Sequence, residues 1–410
     1  MKTLFVNATS CKAGGGLTDL VNTLPRLDAR LREDGWQTRV WVVEPGRRVL
    51  EEAGYQPDSL TVVDALAPLR RAAWELIGFP RLVRWEKPDV VFHFSNLIFR
   101  PLRAPQITVL RSQTFFSDEN TITHRTGWYQ KLRYRIGCYY SVKTVKWAEG
   151  LFCISGAHRA DIVRSVGDIG DKVKVSHLGF ACPDEALALA GQSRAAIVEQ
   201  LPEPWREKLR PLAQSERPIV LNVAYYYEHK NLGDLLEAAD ILSREYPELA
   251  VILTSGLTTY QGAMNRQTRH DTELAKQLEA KGILFDLGNV PKNVVWKLLA
   301  MADIFAFPSS VESFGHPLLE AMSMGVPVVA GDTPVHREIS GDVALFHPVG
   351  EPAEIAAHIE TIITGQVDRQ TLADAGRRQT AGFSWEKHVG DLRDAVLELG
   401  ATKNHGDNVR

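Results

Sequence analysis

The chain has 410 residues, 44% hydrophobic and 24% charged, with a formal net charge of -3. That length exceeds one ordinary core and predicts two domains of roughly 150 to 200 residues each, and the composition is that of a water-soluble globular protein. The near-neutral charge gives no global attraction to nucleic acid, so no nucleic-acid partner is expected. Cys11, Cys138, Cys153 and Cys182 lie far apart without zinc-site spacing, which suits a reducing cytoplasm. The opening MKTLFVNATS is too short for a signal h-region, and no run approaches the roughly 18 apolar residues of a membrane span.

In chain order, the first half alternates apolar strands with amphipathic stretches: TLFVN, a helix over Leu17 to Asp34, then TRVWVV, DVVFHF, QITVL and GLFCIS. Such alternation predicts a mainly parallel sheet wrapped by helices. Pro25 predicts a kink or break in the first helix. Gly14, Gly15 and Gly16 form a flexible loop after the first strand, though no full G-x-G-x-x-G fingerprint follows, which argues against a nicotinamide oxidoreductase. Polar groups at later strand ends are His93, Arg111 and Ser112, with His124 and the acids of FSDEN as further cleft candidates. His93 reads more readily as a buried, hydrogen-bonded histidine, and Arg111 as a fork for an acceptor's anionic group or a leaving phosphate.

From Trp128 to Trp147, Lys131, Arg133, Arg135, Lys143 and Lys146 are interleaved with aromatics. This is either a solvated basic face or a peripheral contact with an anionic membrane at its inner face. The segment Asp184 to Pro218 carries Pro202, Pro204, Pro211 and Pro218 and reads as a linker with some helix, placing the domain boundary at 200/201. A second alternating series follows: PIVLNVA, AVILTS, ILFDLG, DIFAFPSS, VPVVAG and VALFHP. The expected domains are therefore 1–200 and 201–383, with 384–410 a terminal helix and tail. Ser384 is its N-cap, without a capping box because Lys387 stands at the required position, and the last ten residues read as frayed.

The richest segment runs from Pro308 to Ile339. Its loop follows the strand DIFAF, where open α/β sheets place ligands, and Pro317 suits the first turn of a helix carrying Leu318, Leu319 and Met322. Backbone N–H groups of Ser313, Phe314, Gly315 and His316 would then face an anion at a helix N-terminus. Glu312 and Glu320 offer two hydroxyl acceptors; taken singly, Glu312 is equally a helix cap and Glu320 a partner of Arg337. Lys230, in AYYYEHKN, precedes another helical pattern and could place an ammonium beside a phosphate leaving group, or be an exposed helix-start lysine.

ESFGHPLLE followed by AMSMGVPVVAG resembles the E-x7-E motif of glycosyltransferase family 4, retaining enzymes of the GT-B fold. The resemblance extends over nearly the whole chain through the glycine loop, VLNVAYYYEHKNLGDLLEA, FDLGNV and FSWEKH. It implies two Rossmann-like domains facing across a cleft, donor on the C-terminal side and acceptor on the other, with the terminal helix packed back toward the first domain. It implies that Glu320 binds the nucleotide ribose and Glu312 the transferred sugar, and that backbone groups of Phe314, Gly315 and His316 hold sugar and diphosphate. Lys230 matches a phosphate-binding lysine, but the arginine expected five residues earlier is Tyr225, and Arg111 stands where a histidine is common. Gly15 and Gly16 would border the diphosphate, and the Gly288 to Val290 loop would meet the base. The implied co-substrate is a nucleoside-diphosphate sugar, with no cofactor or metal, and the acceptor a glycan, lipid-linked or small molecule. A GT-B epimerase or phosphorylase and a weakened sugar-nucleotide-binding subunit are the alternatives.

Overall fold

The computed structural model describes residues 1–12, 14–65, 67–116, 128–259 and 265–406. His124 and the FSDEN acids Asp118 and Glu119 lie outside them. Two compact units emerge: Met1–Gly179 together with Phe383–Arg410, and Phe180–Gly382.

The first unit is built on a seven-stranded parallel sheet. Its strands are β1 (Lys2–Asn7), β2 (Trp36–Val42), β3 (Ser59–Val62), β4 (Val90–His93), β5 (Gln106–Leu110), β6 (Gly150–Cys153) and β7 (Val173–Val175). Their order is β3-β2-β1-β4-β5-β6-β7. Leu4 pairs with Val90 and Val6 with Phe92, and β4 and β5 are buried along their whole length. Continuous apolar runs of this kind are what a sheet covered on both faces requires.

The helix Gly15–Glu33 begins earlier than expected and runs unbroken through Pro25. The proline removes one backbone donor, but Leu20, Leu24, Leu27 and Leu31 recur on one face and are all fully buried, and that packing outweighs one lost bond. The terminal helix Trp385–Gly406 lies in the same unit. Its first turn is capped by Ser384, whose Oγ accepts from Lys387 N at 3.4 Å. Arg393 clamps Asp34 with bonds of 2.6 and 2.7 Å, and His388 Nδ1 meets Ser176 Oγ at 2.9 Å. The tail expected to fray is helical through Gly406. The helix Trp128–Trp147 spans the predicted residues and exposes Leu132, Ile136 and Tyr139 at helical spacing. No helix among the described residues is long and apolar enough to cross a membrane.

The second unit carries β8 (Ile219–Asn222), β9 (Ala250–Leu253), β10 (Leu284–Asp286), β11 (Ile304–Phe307), β12 (Val328–Gly331) and β13 (Leu345–His347). They form a parallel sheet in the order β10-β9-β8-β11-β12-β13. The segment read as a linker folds into this unit as short helices. Arg194 pairs with Asp303 at 2.5 Å, Trp205 Nε1 donates to Leu287 O at 3.1 Å, and Lys208 Nζ donates to Asp286 O at 2.8 Å. These contacts carry the division back from 200/201 to Gly179/Phe180.

In the first unit, burial pushes His93, His158 and His388 each down to about 4. The folded chain therefore resists protonating them while the unfolded chain takes up protons near pH 6.5. Their contribution is complete above that pH and is lost as pH falls toward 4. Urea denaturation at pH 7.5 and pH 5 should show a loss of about 2 kcal/mol per histidine, with a smaller loss in His388→Gln. Equal stability at the two pH values would contradict the assignment.

Candidate active site

The strand order of the second unit reverses between β8 and β11, since the chain leaves β8 toward β9 on one side and β11 toward β12 on the other. Ligands of open α/β sheets bind outside the carboxyl ends of strands at such a switch point. Lys230 lies just beyond β8 on the short turn Glu228–Lys230, and Glu312 lies just beyond β11. Their side chains meet with Nζ to Oε1 at 2.5 Å, at 17% and 14% exposure. The ammonium also sits 5.6 Å from the Phe307 ring centroid. Lys230 is thus neither an exposed helix-start lysine nor distant from the motif.

The two loops are tied together, with Ser310 donating its N–H at 2.9 Å and its hydroxyl at 3.2 Å to His229 O. The His229 ring stacks on Tyr227 with centroids 5.6 Å apart and planes 9° apart. Tyr225 and Tyr227 are 55% and 56% exposed. Beneath the pair, buried His336 meets Gly331 O through Nδ1 at 2.7 Å, with its ring 5.3 Å from Phe307. Burial lowers its pKa, partly offset by that hydrogen bond and by Glu312.

Gly315 caps the helix His316–Ser323 with φ 91° and ψ 48°. In that left-handed conformation a side chain is strained, and a Cβ there would also press Leu318 Cδ1 at 3.2 Å. The N-cap is therefore Gly315, not Glu312. No side chain caps this helix, and Ser313, Phe314, Gly315 and His316 form the turn into it, with Phe314 buried and its ring 5.0 Å from that of His316.

Glu320 is buried one turn further on. It pairs with Lys292, whose ammonium lies 4.8 Å over the Trp296 ring. Arg337, the partner considered from sequence, instead engages Asp332 through two bonds of 2.5 and 2.8 Å. Each glutamate of the motif is thus met by a lysine from another element, Lys230 from the turn Glu228–Lys230 and Lys292 from the start of the helix Lys292–Met301. Lys292 was not read as a site residue, because nothing in PKNVVWKLL marks which lysine reaches a carboxylate some 28 positions on.

Behind the Gly288 to Val290 loop, buried Asp286 at the end of β10 organises the neighbouring backbone. It accepts from Gly256 N at 2.9 Å, Thr258 N at 2.9 Å and Gly288 N at 3.2 Å. Val290 is half-buried just beyond. The sequence marked this loop by its glycine and not by the carboxylate that shapes it.

In the first unit, Gly15 and Gly16 open the helix Gly15–Glu33, after Gly14 at φ 54°. His93 is buried at the end of β4, with Nε2 3.2 Å from Gln106 Oε1 and its ring edge-on to Phe79 at 5.8 Å, and burial lowers its pKa to about 4. It is a core histidine. Arg111 and Ser112 both donate their backbone N–H to Asn96 Oδ1, at 2.5 and 3.0 Å. The Arg111 guanidinium is committed to buried Asp19, with Nε to Oδ2 at 2.5 Å, and lies 5.1 Å over Phe94.

Residues 205–379 match the family described as Glycosyl transferases group 1. The O-antigen chain mannosyltransferase B of Escherichia coli is 25% identical over 339 residues, 83% of this chain and 80% of that enzyme. The second unit is thus similar to the group 1 glycosyltransferases, and the chain has the GT-B fold. A D-inositol 3-phosphate glycosyltransferase of Salinispora tropica is 32% identical over 172 residues, 40% of this chain and 35% of that enzyme. The crystal structure of Anabaena Alr3699/HepE in complex with UDP-glucose has a TM-score of 0.66 and 18% identity, covering 98% of this chain and 100% of that one.

Replacing Asp286 by Ala strands three backbone donors and should cost roughly 2 to 4 kcal/mol in urea denaturation, with Asp286→Asn intermediate because one acceptor oxygen remains. Unchanged stability in both variants would show that Asp286 does not hold the loops.

Proposed function

We propose that this chain is a retaining hexosyltransferase of glycosyltransferase family 4, moving a sugar from a nucleoside diphosphate to an acceptor hydroxyl in glycan, polysaccharide or glycoconjugate biosynthesis. The observation that carries the reading is the pair of glutamates with seven residues between them around a glycine-capped helix start, each matched to a lysine from another element. The donor class is supported by the UDP-glucose complex of Alr3699/HepE, and the biosynthetic setting by the O-antigen enzyme's name.

In this reading Glu320 accepts ribose hydroxyls and Glu312 accepts hydroxyls of the transferred sugar. The backbone from Ser313 to His316 and the Lys230 ammonium receive the diphosphate. The Lys230–Glu312 contact holds the lysine at the crevice until the phosphates replace the carboxylate as its partner. As the glycosidic bond breaks, negative charge grows on the leaving diphosphate, and Lys230 with the helix start stabilises it. The same diphosphate oxygen takes the acceptor proton on the face it leaves, so configuration is retained without a protein nucleophile, and Glu312 positions the sugar. Tyr225 cannot supply the second cation of the family pattern. Neighbouring His229 does not replace it in the unliganded protein, since burial and then Lys230 lower its pKa and favour its neutral form.

The test is a thermal-shift panel of nucleoside diphosphates and their sugars, followed by acceptor screening with the best donor. Glu320→Ala should raise the donor KM about 10- to 100-fold, the scale of a charged hydrogen bond, and Lys230→Ala should lower kcat roughly 100-fold or more. Unchanged donor affinity and turnover in both variants would overturn these roles. Donor binding without transfer to any acceptor would favour a binding subunit, and turnover of donor alone or with inorganic phosphate an epimerase or phosphorylase.

A further inference from the structure

Three connections of the first unit lie on one face of its sheet. The crossovers from β3 to β4, from β4 to β5 and from β5 to β6 all advance in the same direction across the strand order, and right-handed connections of that kind share a face. The first is helical from Pro68 through a π-helical turn, Trp74–Gly78, to Glu86. Its inner side is accounted for: Phe79 and Val83 are buried in one cluster with Phe5, Trp41 and Val91, and buried Glu75 accepts from Asn7 and Thr9 beside Arg71. Its outer side is apolar as well. Leu69 is 85%, Trp85 86%, Ile77 49% and Leu76 37% exposed, and Met1 apart, no other large apolar side chain among the described residues is as exposed as Leu69 and Trp85. A helix apolar on both sides is ordinarily buried on both.

The third connection is the helix Trp128–Trp147, with Leu132, Ile136 and Tyr139 exposed along one stripe. Two consecutive residues of the second connection join it to the first. Arg100 Nη1 donates to Leu76 O at 3.3 Å, and the Phe99 ring lies 4.9 Å from that of Tyr140. Seven of the fourteen exposed large apolar side chains among the described residues thus gather on these connections, which makes a patch and not scattered exposure.

The charge of this surface has one sign. Arg81, Arg84, Arg100 and Arg103 are exposed on the first two connections, and none of the four forms an ion pair with a described residue. The helix Trp128–Trp147 adds Lys131, Lys143 and Lys146 and contains no acid, and the Lys143 ammonium lies 5.4 Å over the Tyr139 ring. The loop from 96 to 105 contains no acid either. Both acids of the helical segment from Pro68 to Glu86 are engaged, Glu75 inside the unit and Glu86 with Arg39.

We propose that this surface docks on an anionic lipid bilayer, with Leu69, Ile77 and Trp85 entering the headgroup boundary and the arginines meeting lipid phosphates. Apolar side chains leave water there while cations beside them find anionic partners, so one contact satisfies both halves of the patch. A second copy of the chain fits less well, because a two-fold contact sets the arginines against their own counterparts. A polyanion such as nucleic acid takes the cations but leaves Leu69, Ile77 and Trp85 in water. The inference goes beyond the transferase reading and does not depend on it.

Flotation of the full chain with phosphatidylcholine vesicles, prepared with and without phosphatidylglycerol, tests the docking. The wild type should float with the anionic vesicles, less so at high salt, and stay behind with phosphatidylcholine alone. The double variant Ile77→Ser with Trp85→Ser, which keeps every charge, should bind the anionic vesicles roughly tenfold more weakly or worse, and Arg81→Glu with Arg84→Glu should do the same. Ile241→Ser, at an exposed apolar position of the second unit, should float as the wild type does. All the replaced side chains are exposed, and an unchanged urea midpoint reports that each variant is folded. No flotation of the wild type with anionic vesicles, or unchanged flotation of both double variants, would overturn the proposal. So would a dimer in lipid-free sedimentation that Ile77→Ser with Trp85→Ser dissociates, since the surface would then belong to a second copy.

Discussion

The contact between Lys230 and Glu312 is the constraint around which the second unit's crevice is arranged. Two opposite charges sit at the ends of adjacent strands, mostly withdrawn from water, above the Phe307 ring and over buried His336. Removing a charge from water is costly unless a partner is close, and truncating either member of such a pair would leave the other uncompensated. The pair therefore fixes where both loops run, and the bonds from Ser310 to His229 O repeat that tie in the backbone. A ligand that brings negative charge to the lysine and hydroxyl donors to the glutamate can replace both partners at once, which is the behaviour a sugar-diphosphate site needs.

The same logic recurs in the first unit. A parallel sheet covered on both faces has little room for charge along its strands, so polar groups collect at the carboxyl ends, and most readily where the strand order reverses. In one unit that place holds Lys230 and Glu312; in the other it holds Asn7, Thr9, Arg71, Glu75 and Ser95.

The central strands were legible because they are buried apolar runs bounded by turns, and the order of strand and helix indicated two parallel α/β sheets. The edges were not. Strand β3 is half-exposed and β7 has only three residues, so neither rises above loop composition. Pro25 misled because four buried leucines outweigh one missing donor, and the proline-rich segment before β8 misled because its anchors, Asp303 and Leu287, are 80 or more positions away. At the site, Glu312, Glu320, Gly315 and Lys230 could be picked out because their spacing around a strand end and a helix start is itself chemical information. Lys292, His336 and Asp286 could not, since each acts through a tertiary contact. Arg111 shows the converse, a residue of suitable chemistry whose charge is already met by Asp19.

The central claim is that a nucleotide sugar lies across the strand-end crevice of the second unit, between Lys230, the Gly315 helix start and the Glu320 carboxylate. Hydrogen exchange of the full chain with and without the best-binding nucleoside-diphosphate sugar tests it directly. The account predicts protection concentrated in residues 228–231, 288–293 and 309–318. Protection absent from all three segments while the nucleotide sugar is bound would contradict it.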